Sequence, residues 1–243
     1  MKVYLNEITG YADAITSMFM SKRTWDRTLE EEIRHICNYV TDRRGYLNDI
    51  SHDRPEWSYF TQWMGTLTKW GKKHITMLKF IDLSITVEGL HRGGQDDWDS
   101  HAKRFDNRII RNSTRLANFC DNEKSDFYEG KILTTDEALT VLEIKTPDTI
   151  VKNGITYVKT VNGYIDERYK DDKDVKRGLY MLSIPSNFIF KVNLAEFAHV
   201  YQERNIDGTA NAEVKELAEK IADELEKATN YYINRQLLLN IKN

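Results

Sequence analysis

Cysteine is scarce in this chain, long apolar runs and phosphate-binding glycine fingerprints are missing, and net charge is small. Each shortage removes a class of function. Among 243 residues only Cys37 and Cys120 are cysteines. A lone pair builds no disulfide framework, no Cys-x-x-Cys occurs, and no His/Cys cluster has zinc spacing, so no metal site is expected. A reducing cytoplasm is the simplest expected home. No apolar run approaches the roughly 18 residues that would suggest a membrane span. The opening Met-Lys-Val-Tyr-Leu-Asn-Glu lacks a signal peptide's apolar core and cleavage site. No G-x-G-x-x-G or Walker spacing exists, so Gly93-Gly94 reads as a plain loop. The formal net charge of −3 argues against a general nucleic-acid coat, and any basic face must act locally.

What is present is an ordinary globular composition, 40% apolar and 30% charged, long enough to bury a substantial core as one domain. The most informative stretch is residues 98–119. Read as a helix, Arg104, Arg108, Arg111 and Arg115 recur at steps of four, three and four and share one face. Phe105, Ile109, Leu116 and Phe119 line the neighbouring stripe. Between Arg104 and Arg115 the only acidic residue is Asp106, so the guanidinium groups repel one another unless an anion sits among them. Arginine suits bidentate phosphate contacts, and this face is expected to be the phosphate end of a ligand site.

In chain order, Lys2–Ile8 reads as a strand and Ala12–Met20 as a helix. Thr28 with Glu31 predicts a capping box for a second helix, whose apolar face is Ile33, Ile36, Cys37 and Val40. Cys37 is then a buried filler. Trp57–Trp70 is an aromatic-rich helix bounded by Gly71, its tryptophans serving core or subunit contact. Leu78 to Leu90 alternates as a half-buried strand. Residues 121–136 read as loop, and the texture from Thr140 to Ile165 is β, with Asn153-Gly154 and Asn162-Gly163 as hairpin turns. A further helix starts at Asp171–Asp174, carries Arg177 and ends near Pro185. Asn187–Val192 is a short strand, and Asn193 with Glu196 three residues on predicts an N-cap for a helix reaching Arg204. Val214, Leu217, Ala218, Ile221, Ala222, Leu225 and Ala228 trace the apolar face of the longest helix, a core or an oligomer seam.

Three stretches resemble the flavin-dependent thymidylate synthase family. The first joins Arg177, Val192-Asn193-Leu194-Ala195-Glu196-Phe197-Ala198-His199, Arg204 and Ala210-Asn211-Ala212-Glu213-Val214. It is similar to the family's Arg, Asn-Leu-Arg, His or Asn, Leu-Arg, and Ala-Gln-x-Glu-Ile-Arg series. The second is His74 and Thr76, similar to Gly-His-x-Ser/Thr, followed by Gly89-Leu90-His91-Arg92, which resembles Gly-Val-Ser-Arg. The third, Ser113-Thr114-Arg115-Leu116, resembles the closing Ser-x-Arg-Tyr of the signature motif. The departures are local. Lys103-Arg104-Phe105 stands where the motif opens Arg-His-Arg, after a loop about three residues longer than usual. Lys79 replaces a Glu, Ala195 an Arg and Asn211 a Gln, so the nucleotide half is better kept than the flavin half.

The resemblance implies an α+β single domain over residues 1–243, a mixed or antiparallel sheet flanked by long helices, and the hairpin turns read above add a β-meander inserted at about 140–166. It implies reductive methylation of dUMP to dTMP using FAD, methylenetetrahydrofolate and NADPH. On this mapping Arg115 and Arg177 clamp the nucleotide phosphate, with Ser113 and Arg111 beside it, and Arg204 lies against the pyrimidine. Arg204 and Ser113 are the catalytic candidates. His74, Thr76, Asn193 and His199 would touch FAD, with Lys103 and Arg104 replacing two arms of the motif. A cytoplasmic homotetramer with shared sites is implied, with neither membrane nor nucleic acid as partner. Asn118-Phe119-Cys120-Asp121 does not resemble the Pro-Cys-His site of the other thymidylate synthase type, so the expected chemistry is cysteine-independent. The alternatives are one-carbon transfer to another pyrimidine nucleotide, a nucleotide-binding relative without flavin, and a helical nucleic-acid binder whose affinity falls steeply with salt.

Overall fold

The structure, a computed structural model, describes residues 1–48, 54–99, 108–111, 125–206 and 211–241. The chain opens with β1 (Lys2–Thr9), α1 (Tyr11–Ser21), α2 (Arg27–Val40), α3 (Pro55–Gly71), β2 (Asp82–His91) and α4 (Arg92–Asp99). Next come β3 (Arg108–Arg111), α5 (Thr135–Val141), β4 (Thr149–Lys152), β5 (Ile155–Thr160), β6 (Gly163–Asp166) and α6 (Lys173–Lys176). It closes with β7 (Pro185–Asn193), α7 (Leu194–Ile206), α8 (Ala212–Ala228) and α9 (Arg235–Asn240). This is the α+β class expected. One sheet has the order β1-β2-β7-β3 and the other β4-β5-β6. The chain gathers into two compact units, one of Met1, Glu88–Asp96 and Arg111–Phe188, the other of Lys2–Val87, Asp97–Ile110 and Ile189–Asn243.

The second unit is a helical body. α1, α2 and α3 pack on one another, and α7 packs on α8 and α9. The expected α2 face is buried at Ile33, Ile36, Cys37 and Val40, and burial pushes the Cys37 thiol up to about 12. Its cap differs from expectation. Asp26 Oδ1 accepts from the Leu29 amide at 2.8 Å, so the helix starts ahead of Thr28, and Glu31 instead meets Arg27 at 3.3 Å. Trp57, Phe60, Trp63 and Leu67 of α3 are buried, with Phe60 edge-on to Tyr11 at 5.9 Å. The apolar stripe of α8 is buried along its whole length. α9 is fastened to α8 by Arg235, whose guanidinium meets Glu219, Asp223 and Glu226.

The strand expected from Leu78 starts only at Asp82. Ile75–Phe80 coils as a 3-10 segment with adjacent Met77 and Leu78 both buried, a pattern that strand alternation cannot give. β7 alternates cleanly, with Ser186, Phe188, Phe190 and Val192 inward and Asn187 and Ile189 outward.

The first unit holds the meander. β4 pairs antiparallel with β5, and β5 with β6. Lys152 faces Ile155 across Asn153-Gly154, whose φ values of 54° and 74° give the two left-handed positions of a type I′ turn. In the second hairpin Thr160 faces Gly163, so Val161-Asn162 forms the loop and Gly163 already belongs to β6. The loop expected over residues 121–136 gives way to α5, which opens on a reciprocal cap and runs into the stretch expected to be β, so the meander starts only at Thr149. Thr134 Oγ1 accepts from the Glu137 amide at 3.2 Å, and the Thr134 amide donates to Glu137 Oε2 at 2.6 Å.

Candidate functional site

The arginine stretch is not one helix. Arg108–Arg111 is a strand at the edge of the four-stranded sheet, beside β7. Two adjacent β-branched isoleucines favour that edge position, and flanking charges guard it against further pairing. A period of two cannot gather residues three apart onto one face, so the continuous guanidinium face does not exist across this segment. Arg111 is held by Asp96 at 2.8 Å, an acidic partner outside the window in which only Asp106 stood. Lys103, Arg104, Ser113 and Arg115 lie outside the described residues. Arg177 opens a 3-10 turn, Arg177–Leu179, directly after the short α6, and its side chain lies outside the described residues.

Gly93-Gly94 is also not a loop, because α4 begins at Arg92. The two glycines make room for a side chain. A Cβ on Gly94 would stand 2.6 Å from Cε1 of His91, whose buried ring packs on Phe127 and Tyr128. Further along α4, Gln95 is fully buried and accepts from Ser186 Oγ at 2.5 Å.

The C-terminal end of α4 meets the C-terminal end of α7. Trp98, 1% exposed, packs edge-on against Phe190 at 5.7 Å. One residue earlier, Asp97 receives Arg204. Arg204 Nη2 donates to the Asp97 carbonyl at 2.7 Å and lies 3.2 Å from its carboxylate. The Arg204 side chain is only 13% exposed, and its Nε is buried without a hydrogen-bond partner among the described residues. The amide of the next residue, Asn205, is in the same condition at both Nδ2 and Oδ1. Buried polar groups left unpaired each cost about 1–3 kcal/mol, so each of these atoms suits a polar partner.

The other candidates are brought close at the level of elements. Asn193 Oδ1 accepts from the Glu196 amide at 2.9 Å, the predicted cap of α7. His199 Nε2 lies 2.9 Å from Glu203 Oε1, one turn along the same helix. The 3-10 segment after His74, with Thr76 exposed on it, packs against α7, and the Leu194 amide donates to the Ile81 carbonyl at 2.8 Å. Thus the His74/Thr76 and Asn193/His199 segments, more than a hundred residues apart in sequence, are neighbours in one unit. Asp97 and Asn205 were not foreseen. The signal for Asp97 was the acidic pair Asp96-Asp97 just ahead of the arginine-rich stretch; for Asn205 it was only its place beside Arg204.

Among the described residues, no helix is long and apolar enough to cross a membrane. No family model matches the sequence, and no curated protein matches it. The fold is similar to that of flavin-dependent thymidylate synthase ThyX from Helicobacter pylori, crystallised with FAD and dUMP. One such structure is 13% identical, covers 98% of this chain and 99% of its own, and superposes with a TM-score of 0.55. Another is 11% identical, covering 96% and 98%, with a TM-score of 0.54. At this identity the likeness establishes the fold, across nearly the full length of both chains.

Proposed function

We propose that this protein is a flavin-dependent thymidylate synthase-like enzyme, binding FAD and a pyrimidine mononucleotide and converting dUMP to dTMP with methylenetetrahydrofolate and NADPH. The observation that carries the reading is Arg204: a nearly buried guanidinium held on one nitrogen by Asp97, its Nε without a partner among the described residues. The full-length likeness to a protein that binds FAD and dUMP supports it.

The residues present fit both groups. A pyrimidine edge offers a C=O, which is what the unpartnered Arg204 Nε lacks. A cation fixed there stabilises negative charge developing on the base. Asn193 spends its oxygen on the cap and keeps its Nδ2 for a flavin acceptor, while Glu203 orients His199. His74 and Thr76 stand exposed on the segment packed against α7. Bound flavin would supply the reducing chemistry, and the protein's own contribution is to bind and orient. Arg115, Arg177, Ser113 and Arg111 are proposed for the phosphate end, and Lys103 and Arg104 for FAD. We place the enzyme in the cytoplasm as a homotetramer.

One observation favours a second reading, a nucleotide-binding relative without flavin. Ala195 stands where the family carries an arginine, and it is 2% exposed. The visible spectrum of the purified protein with added FAD, followed by calorimetry with dUMP, separates the two. A bound-flavin spectrum with dTMP formed from dUMP supports the enzyme. Nucleotide binding without flavin supports the second reading, and binding of neither removes both.

A further inference from the structure

The pairing of Asp97 with Arg204 has a consequence for what Arg204 can face. Asp97 engages Nη2 twice, by a hydrogen bond to its carbonyl oxygen at 2.7 Å and by an ion pair with its carboxylate at 3.2 Å. Two acceptors on one nitrogen stop the guanidinium from turning about its Nε–Cζ bond. The carboxylate also offsets part of the positive charge, in a setting where Arg204 is 13% and Asp97 35% exposed. Trp98, the residue after Asp97, is locked against Phe190, which fixes the backbone that supplies the carbonyl. The buried Nε, without a partner among the described residues, is therefore a donor held in a fixed direction.

We propose that Asp97 is the positioning residue of Arg204, its side chain holding the guanidinium in one orientation for the ligand. The holding is a property of this chain; the identity of the ligand as a pyrimidine nucleotide rests on the function proposed above.

The test has a ligand-free arm and a ligand arm, both on the full chain. In arginine-labelled 15N NMR, Arg204 should show slow rotation about Nε–Cζ in the wild type. Asp97→Ala should make that rotation fast, and Asp97→Asn, which keeps the acceptor, should restore most of it. In calorimetry, Asp97→Ala should weaken dUMP binding about ten-fold, the loss of the ion pair that orients the guanidinium. Deoxyuridine should lose the same factor, and Asp97→Asn should recover most of it. Unchanged rotation in Asp97→Ala overturns the proposal. Tighter dUMP binding in that variant also overturns it, because Asp97 would then be withholding Arg204 from the ligand. Slow rotation in a wild-type protein that binds no dUMP leaves Asp97 as the positioning residue and removes the nucleotide reading alone.

Discussion

The helical body and the meander hold themselves together in opposite ways. In the body, side chains such as Ile15, Phe60, Leu83, Phe197 and Ile221 are fully buried, and order comes from close packing. In the meander every residue of β4 is exposed, every residue of β5 half-buried, and of the three strands only Ile165 is buried. Its order comes from register and turn chemistry: a type I′ turn at Asn153-Gly154, antiparallel ladders, and Lys159 paired with Asp136 at 3.1 Å. A preorganised arginine needs the first kind of support, because packing is what denies a side chain its alternatives. Arg204 and Asp97 belong to the helical body.

The contrast breaks or sharpens most visibly at Phe60. Phe60→Ala should cost about 3–5 kcal/mol, read as a lowered urea midpoint, while Val151→Ala in the meander should stay within about 0.5 kcal/mol. Equal losses would erase the distinction. A smaller effect is expected at Gly154, where φ is 74° and nothing crowds an added Cβ. Gly154→Ala should cost about 1–2 kcal/mol through backbone strain alone. Amide exchange should quicken within β4 and β5 and stay unchanged in α8; acceleration in both would mean the meander is not separately stabilised.

The smallest effect is one of pH. The hydrogen bond from Arg34 holds the Glu30 carboxyl below its ordinary value, against burial, which raises it, with the charge of Arg27 helping. A depressed carboxyl adds stability above the unfolded-state value near 4.5 and loses it as pH falls through the folded value. The melting temperature should therefore drop on acidification below about pH 4.5, and Glu30→Gln should make that drop shallower. An identical acid limb in both proteins would show that the pair adds nothing to the body.

Legibility in the sequence follows the same division. The buried faces of α2 and α8, the cap at Asn193 and the turn at Asn153-Gly154 were all readable, since each depends on residues within about a turn of one another. Capping boxes show the limit. Thr28-x-x-Glu31 has the spacing and fails because Asp26 caps first, whereas Thr134-x-x-Glu137 has the same spacing, went unnoticed, and is real. The arginine stretch misled for a related reason. Helical spacing and an Ile-Ile strand signal coexist at 108–111, and the open edge of β7 chose between them.

By itself, the order of residues determined the α+β class, the helical faces and the segments that resemble a flavin-dependent enzyme, because periodicity and short-range chemistry are local. Only tertiary structure decided that Asp97 would meet Arg204, that Gly93-Gly94 would shelter His91, and that the segments of His74 and Asn193 would be neighbours. The first and last of those pairings join positions more than a hundred residues apart, 107 at Arg204 and Asp97. Side-chain spacing carries no record of contacts that form only when separate elements bury their apolar faces together.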